Sequence, residues 1–583
     1  MNKQITNAKK EYESMLQVQE KRSNALSKTR LLAFLCFFLF LVVNFKLHLT
    51  IISFFVWLLI LSFIIVAIYH NKVEKEITIL KNYLNTIQKY ESRTNGIWKN
   101  NQSDQEEIPL EFMGDLDVVG KNSLFQFLNF TSSLGGKKKL LEKMSLREVT
   151  KTAINSNQNA IKELKDHFKF SLLFQEKMSN IDKISKTDYK DFLYFFDKKN
   201  KSNFPELIIS LILSAITMIV LILTVLGLIK SFYLVGLIFL QLLASYVYMF
   251  LYNEDFDTIS KCIRKYSDLK EIYDFIEKEK FTSSKNKQLQ NEIKNGKAIL
   301  NKLSKIADLD SYRNNFLTYL LLNLFASLNF VILYKYISLL NDNSKNFKMS
   351  INALEEFEVL ISLTTIPYVK ECVCLPTIVN EIKLNANTIR HPLLTEYECV
   401  PNDFTCEQDI NIITGSNMSG KTSFMRTIGI NLILSYCGTY VTASTFICPI
   451  MHIFTSINVK DDISNGISTF YGELKRIKSV LDYSKNNKEP LIIFIDEIFK
   501  GTNYNDRILG AKETLRKFSS LNCIVFLTTH DFELCEVNNK KIHNYHFKEE
   551  YKSGKISFDY IIKEGKCNTT NAKYLMKQMG IID

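Results

Sequence analysis

The chain has no CxxC pair, and no cysteine–histidine quartet stands at zinc-ligand spacing. Its cysteines, at 36, 262, 372, 374, 399, 406, 437, 448, 523, 535 and 567, therefore read as reduced thiols of a cytosolic protein, mostly small core residues. Cys372 and Cys374 form a lone CxC, read as structural. A cleavable signal peptide is also missing. The first 30 residues are polar and basic, and the apolar stretch behind them is too long for a signal core. No internal repeat stands out beyond two apolar hairpins, and these hold almost no ionisable side chains. Helices of that kind suit anchors better than a pathway for charged solutes.

What is present is length and an uneven apolar content. The 583 residues suffice for about three or four domains with cores of their own, and the 46 % apolar share is concentrated in parts of the chain. A formal net charge of +12 is compatible with nucleic acid or an anionic membrane face. It is equally compatible with a Lys-rich composition that only keeps the protein soluble.

Two apolar runs, about 31–47 and 50–69, flank a short break containing Lys46 and His48. Each approaches the ~20 residues that span a hydrocarbon core as a helix. A second pair, about 207–229 and 231–252, turns at Lys230 and Ser231. Lys3, Lys9, Lys10, Lys21, Arg22, Lys28 and Arg30 precede the first pair, whereas each turn holds one Lys. That asymmetry places the N-terminus and both long polar regions in the cytoplasm, as in a multi-pass integral membrane protein. A fifth apolar stretch, 316–336, is interrupted by Asn323, Asn329 and Lys335 and is read as a buried or interfacial helix.

The predicted organisation is a basic cytosolic N-terminus (1–30), membrane hairpin 1 (31–70), a helical core (71–204), membrane hairpin 2 (205–252), a helical clamp or lever (253–385) and a nucleotide domain (386–583). From about 386, short β-rich runs ("INIIT", "LIIFIDE", "CIVFLTTH") alternate with helical segments, the pattern of a parallel sheet with crossover helices. The expected fold class is thus α plus α/β.

Gly415-x4-Gly420-Lys421-Thr422 follows the strand "INIIT" and opens a helix, the context a phosphate-binding P-loop requires. Its backbone N–H groups would cradle the phosphates of ATP, Lys421 would bridge the outer ones, and Thr422 would ligate Mg2+. The strand "PLIIFIDE" ends in Asp496, a ligand for Mg2+ through water, and Glu497, which would polarise the attacking water. "IVFLTTH" ends in His530, placed where a γ-phosphate sensor belongs. "DDISNGISTFYGELKRI" (461–477) opens a helix on small residues, with Ser468 and Thr469 as a candidate signature meeting ATP from a second subunit.

These segments, in order over about 389–580, resemble the MutS family of DNA mismatch-repair ATPases. "TGSNMSGKTSFMR" is similar to that family's TGPNMGGKS-x-x-MR, "DDISNGISTF" to DD-x-x-x-G-x-STF, "IDEIFKGTN" to DEIGRGTS and "TTHDFEL" to ATHYFEL, while "IRHPLL" resembles GRHP. Weaker similarity lies at 123–144, which looks like the start of the helical core, and at 354–366, which looks like the helix returning to the ATPase. The resemblance implies that Ser416, Asn417, Met418, Ser419 and Ser423 join the ATP-binding loop. It implies that Ser468 reaches the nucleotide of a facing subunit, and that Tyr397 and Tyr560 stack on adenine. Ser416 and Ser419 replace the family's Pro and Gly, and Phe499-Lys500 stands where it has Gly-Arg. There is room for neither a mismatch-reading domain with its connector nor a C-terminal helix-turn-helix, so mismatch recognition is not expected. The reading is a membrane-anchored homodimeric ATPase joined through its ATPase domains and clamping DNA without sequence preference. ABC-like transport or membrane organisation, and an ATP-gated protein scaffold, remain the alternatives.

Overall fold

The computed structural model describes residues 3–47, 50–100, 110–179, 203–457, 469–552 and 555–567. The helices that matter below are α1 (Lys3–Leu47), α2 (Thr50–Thr94), α3 (Glu111–Asp115), α4 (Lys151–Asp166), α5 (Phe204–Val225) and α6 (Ser231–Leu251). They continue with α7 (Asn253–Lys278), α8 (Ser284–Ser311), α9 (Phe316–Ala326), α10 (Leu328–Leu363), α11 (Lys421–Cys437), α12 (Thr469–Asn486) and α13 (Tyr504–Phe518). Two compact units result. One takes the chain up to Asn129, Leu140–Glu176 and everything from Leu360 onward; the other takes Phe130–Lys139 and Lys177–Val359.

In the first unit, α1 and α2 pair as an antiparallel hairpin. The basic residues 3–30 are its first limb and not a separate tail. Ile5, Tyr12, Val73, Ile77, Tyr83 and Ile87 are buried along the polar part of the pair. Lys9 reaches Glu91 at 2.8 Å, and Ser23 Oγ lies 3.0 Å from His70 Nε2. Further along, the same helices expose Leu31, Phe38, Phe45, Phe54, Trp57 and Leu61. Each is therefore one continuous rod, polar and packed at one end, apolar and uncovered at the other. At 1.5 Å per residue such rods are about 68 Å long, roughly twice a bilayer core.

The nucleotide domain of this unit holds two sheets. The smaller has the order β1 (Thr377–Val379), β5 (Thr445–Pro449), β2 (Leu384–Ile389), β3 (Asn402–Cys406). The larger has the order β10 (Lys555–Glu564), β9 (Ile542–Lys552), β4 (Ile410–Thr414), β8 (Cys523–Thr528), β7 (Leu491–Asp496), β6 (His452–Ser456). From β6 through β9 all pairs are parallel; only β9–β10 is antiparallel. Every residue of β4 and β8 is buried, the pattern of strands covered on both faces. On one face Ile412, Ile493, Ile495, Val525 and Leu527 pack with Ala511, Leu515 and Phe518 of α13.

In the second unit, α7 and α8 pair through Lys297, which bridges Asp274 at 2.6 Å and Glu277 at 2.5 Å. Helices α5 and α6 are adjacent and largely uncovered, with Ile209, Ile212, Phe239 and Phe250 exposed. Among the described residues four helices, the two rods together with α5 and α6, are long and apolar enough to cross a membrane. The fifth apolar stretch is not one helix: α9 and α10 meet at Ser327 with a 77° bend.

Candidate functional site

Strands β4, β8 and β7 are neighbours and run parallel, so their C-terminal ends open on the same edge of the sheet. Such an edge is where open α/β sheets place ligands. The loop 415–420 leaves β4 there, Asp496 and Glu497 end β7, and His530 follows β8. Cross-strand bonds hold these exits in register: Glu497 N donates to Thr528 O at 3.1 Å and Thr529 N to Ile413 O at 3.1 Å.

The loop needs its glycines. Gly415 has φ +147°, and a Cβ there would lie 2.9 Å from Ser419 Oγ and 3.0 Å from the Phe547 carbonyl. Gly420 has φ +108°, with the Tyr560 ring 3.1 Å from where its Cβ would be. Met418 is left-handed at φ 71° and almost fully exposed. Ser416 Oγ and Ser419 Oγ are buried without a hydrogen-bond partner, so the cradle holds unused polar atoms. Lys421 folds into it, donating to Gly415 O at 2.7 Å and Ser416 O at 2.9 Å. Burial lowers its pKa from the usual lysine value.

Thr422 Oγ1 donates to both Asp496 oxygens, at 3.2 and 3.1 Å, and Thr528 donates to Oδ1. His530 Nε2 lies 2.9 Å from Asn417 Oδ1, 3.4 Å from Glu497 Oε1 and 3.5 Å from Lys421 Nζ. Lys500 Nζ is 3.4 Å from Glu497 Oε2. Hydrogen bonding from His530, with Lys500 adding its charge, holds the Glu497 carboxyl down to about 2. Glu497 also has φ 57°, a left-handed backbone rare outside glycine, which turns its side chain away from the strand direction. One carboxylate and one hydroxyl on adjacent elements fit a hard divalent cation that takes its remaining ligands from water and phosphate. No larger group of His, Cys, Asp or Glu able to hold a metal occurs among the described residues.

Beside the loop is a cavity of about 380 Å³, lined among others by His391, Glu398, Cys399, Asn402, Gly420, Ser423 and Tyr560. Tyr560 reaches it because the β9–β10 register slips between Phe558 and Ile562. Asn402 pins that bulge, donating to Tyr560 O at 3.0 Å and accepting from Ile562 N at 2.8 Å. His391 is half-buried and accepts from Leu393 N at Nδ1; desolvation, then Lys370 and Arg426, lowers its pKa to about 3, so it is neutral.

Of the expected residues, Gly415, Ser416, Asn417, Met418, Ser419, Gly420, Lys421, Thr422, Asp496, Glu497 and His530 converge on this edge, and Ser423 and Tyr560 line the adjoining cavity. Tyr397 does not join them. It is fully exposed, and the cavity wall on that side is formed by Glu398–Val400. Ser468 lies outside the described residues, and Thr469 begins α12.

Residues 411–580 match the family model described as MutS domain V. The chain is 34 % identical over 185 residues to the DNA mismatch repair protein MutS of Aquifex pyrophilus, covering 30 % of this chain and 21 % of that protein. It is 33 % identical over 224 residues to the protein of the same name from Clostridioides difficile (strain 630), covering 36 % of this chain and 23 % of that one. Through this segment the chain is similar to the MutS family. It spans less than a quarter of the length of either relative.

The matched segment contains the loop, the acidic strand end and His530. Sequence reasoning missed several residues around it. Arg426, the arginine of the "MR" pair, turns away from the loop to donate to Asp115 O at 3.0 Å and pair with Asp117 at 2.8 Å. Asp115 Oδ2 accepts from Ile457 N at 3.1 Å and from Arg476 at 2.7 Å, so one buried carboxylate ties the chain on either side of residues 458–468. Thr528 and Asn402 were visible as polar residues in apolar strands, without a local motif to mark them.

Proposed function

We propose that the chain is a membrane-anchored MutS-type ATPase that works as a homodimer through its ATPase domains and clamps DNA without sequence preference. The observation that carries the ATPase reading is the meeting of Lys421, Thr422, Asp496, Glu497 and His530 at one sheet edge. Bound MgATP supplies an electrophilic γ-phosphorus and a cation that neutralises its oxygens. Lys421 exchanges the Gly415 and Ser416 carbonyls for the outer phosphates. Ser416 and Ser419 hydroxyls gain acceptors in the cradle. Thr422 and, through water, Asp496 would hold Mg2+, which would neutralise charge on the phosphate oxygens.

Glu497, anionic at neutral pH, accepts a hydrogen bond from the attacking water and orients it. His530 and Asn417 stand where the γ-phosphate reports its presence. Tyr560 offers a ring to the base. Ser468 and Thr469 complete the site of the facing subunit. The exposed apolar halves of α1 and α2, with α5 and α6, support a membrane anchor with the ATPase domain in the cytoplasm. The relatives' names and the formal charge of +12 support DNA as the clamp's ligand.

The test is ATP turnover and duplex-DNA binding by the detergent-purified protein, with and without ATP, over a salt series. Turnover that dies in Lys421→Ala together with salt-sensitive DNA binding supports the reading. Affinity unchanged from low to high salt sinks the DNA part.

A further inference from the structure

The stretch 316–341 is the one apolar region whose path through a bilayer neither length nor composition decides. Two independent sets of contacts decide it. The first is parity. Within the first unit, Asn157 Nδ2 donates to Cys437 O at 3.0 Å, Tyr368 OH to Leu164 O at 2.7 Å, and Asp115 pairs with Arg476 at 2.7 Å. Chain preceding α5 and chain following α10 therefore pack directly together and lie on one face of any membrane. An even number of crossings must separate them. Helices α5 and α6 supply two, so 316–341 cannot add a third.

The second set is a ladder of contacts along α5 and α6, all within the second unit. At the start of α9, Arg313 and Tyr319 touch Met249 Sδ at 3.2 and 3.9 Å, near the C-terminal end of α6. At its end, the Asn323 and Leu324 carbonyls accept from Gln241, the middle residue of α6. At the break, Ser327 bonds Ser210 at 2.6 Å and Ser214 at 2.9 Å, the latter midway along α5. The chain then comes back. Asn329 donates to Ser245 at 2.9 Å, the Phe330 ring stacks on Tyr248 at 3.8 Å, and Tyr334 meets Phe204, the first residue of α5, at 5.6 Å. Both limbs run between the middle of the hairpin and the same end of it.

The dimensions agree. The 11 residues of α9 reach about 16 Å, half of a ~30 Å hydrocarbon core. Breaking a helix at that depth frees carbonyls that lipid cannot satisfy. Gln241 satisfies two of them, and its Oε1 accepts from Thr217 at 2.9 Å. Asn323 Oδ1 accepts from Asn329 N at 3.1 Å across the break. The polar side chains Asn323, Ser327 and Asn329 are buried against the hairpin, while Phe316, Leu317, Leu321 and Phe325 are exposed on the other side. Residues 316–334 contain no charged side chain.

We propose that residues 316–334 are a re-entrant segment. They enter the bilayer from the face carrying the nucleotide domain, turn at Ser327 at mid-depth, and leave by the same face. The acyl chains of that leaflet are the partner of the outer apolar side. The proposal rests on the membrane reading of α5 and α6, and the experiment separates the two.

Native lysines serve as probes, so no substitution is needed: Lys230 in the hairpin turn, Lys302 before the segment and Lys345 after it, all exposed. The full chain in sealed vesicles of each orientation is treated with a membrane-impermeant amine reagent. In parallel it is treated with a carbene photolabel dissolved in the acyl chains, and both samples are mapped by mass spectrometry. The expected result is Lys302 and Lys345 labelled from one face, Lys230 from the other, and photolabel on 316–331 comparable to that on α5. Labelling of Lys302 and Lys345 from opposite faces overturns the proposal in favour of a full crossing. Same-face labelling without photolabel on 316–331 overturns it in favour of a segment outside the bilayer. Labelling of all three lysines from one face refutes the hairpin itself, and the proposal with it.

Discussion

Asp115 offers the sharpest quantitative test. Its side chain is nearly fully buried, and Oδ2 accepts from Arg476 at 2.7 Å and from Ile457 N at 3.1 Å. Removing one partner of a buried ion pair typically costs about 3–5 kcal/mol. Here the lower part of that range applies. Arg476 keeps Glu111 at 3.4 Å and Thr455 O at 3.4 Å, and its side chain is partly exposed. The Ile457 amide loses its acceptor, adding about 1–2 kcal/mol. Asp115→Ala is therefore expected to destabilise the first unit by about 4–5 kcal/mol. A double-mutant cycle with Arg476→Met isolates the pair and should give a coupling of about 1–2 kcal/mol. The assay is denaturant unfolding of the detergent-purified protein followed by tryptophan fluorescence, Trp98 being buried in the same unit. Because the two bonds flank 458–468, the variant should also lose turnover more than ATP affinity. A stability change within about 0.5 kcal/mol of wild type, or a strictly additive cycle, refutes the reasoning.

Lys421→Ala should abolish ATP turnover, and Glu497→Gln should lower kcat by about 10²–10⁴-fold while leaving nucleotide binding intact, as filter binding and phosphate release will report. His391 is neutral when folded, its pKa lowered from 6.5 to about 3. The stability this contributes is complete above pH 6.5 and lost as pH falls toward 3, at up to about 1.4 kcal/mol per pH unit. His391→Asn keeps an acceptor for Leu393 N and should flatten that limb of the unfolding profile. Glu358 has the opposite sign: burial raises it from 4.5 to about 7, so its contribution is complete below 4.5 and lost as pH rises through 7. Glu358→Gln should remove this dependence. A Cβ on Gly136 would fall 2.3 Å from Glu358 Oε2, which accepts from Ser133 Oγ while Oε1 accepts from Ser132 N and Ser133 N, so Gly136→Ala should cost about 1–3 kcal/mol in thermal unfolding.

Much of the site was legible in the sequence because its chemistry sits in contiguous stretches. A loop fixed by two glycines and a lysine, and acids at the end of an apolar strand, carry their own backbone context, and adjacent parallel strands bring the pieces together. Tyr397 lies outside the cavity for the complementary reason. Its placement depended on which residue of 397–400 turns inward, and in an irregular segment no periodicity decides that. The cavity takes Glu398, Cys399 and Val400 and leaves Tyr397 in solvent. Tyr560 arrives by a β-bulge pinned from β3, a contact 158 residues away in sequence. The break at Ser327 was hidden because its signal is not Pro or Gly. A serine at φ 50° is bonded by the Ser210 and Ser214 hydroxyls of α5, and Ser214 in turn accepts from the Gln241 amide of α6. Nor did the charges of 3–30 reveal that this segment continues the first apolar helix, since helical phase carries across a change of solvent without any local mark.

The same logic explains why Arg426 and Arg476 look dispensable in sequence and central in structure. Arg426 stands in the second turn of α11, whose N-terminus closes the nucleotide loop, and it binds the backbone of Asp115 and the carboxylate of Asp117. Arg476 stands in the second turn of α12, directly behind the segment holding Ser468, and binds the carboxylate of Asp115. Two helices bordering the nucleotide site from different sides thus grip one three-residue stretch that begins at the last residue of α3. Neither can rotate without loading the other through residues 115–117. Leu116, between the two acids, is fully buried and would meet any Cβ placed on Gly429 at 2.8 Å, so the stretch has no slack in which to absorb such a rotation. Packed cores transmit displacement in this way because their side chains have discrete arrangements and few voids. Within this unit, the helical chain at 111–129 is therefore bound into the nucleotide domain as a stiff element, positioned to move with it as one body.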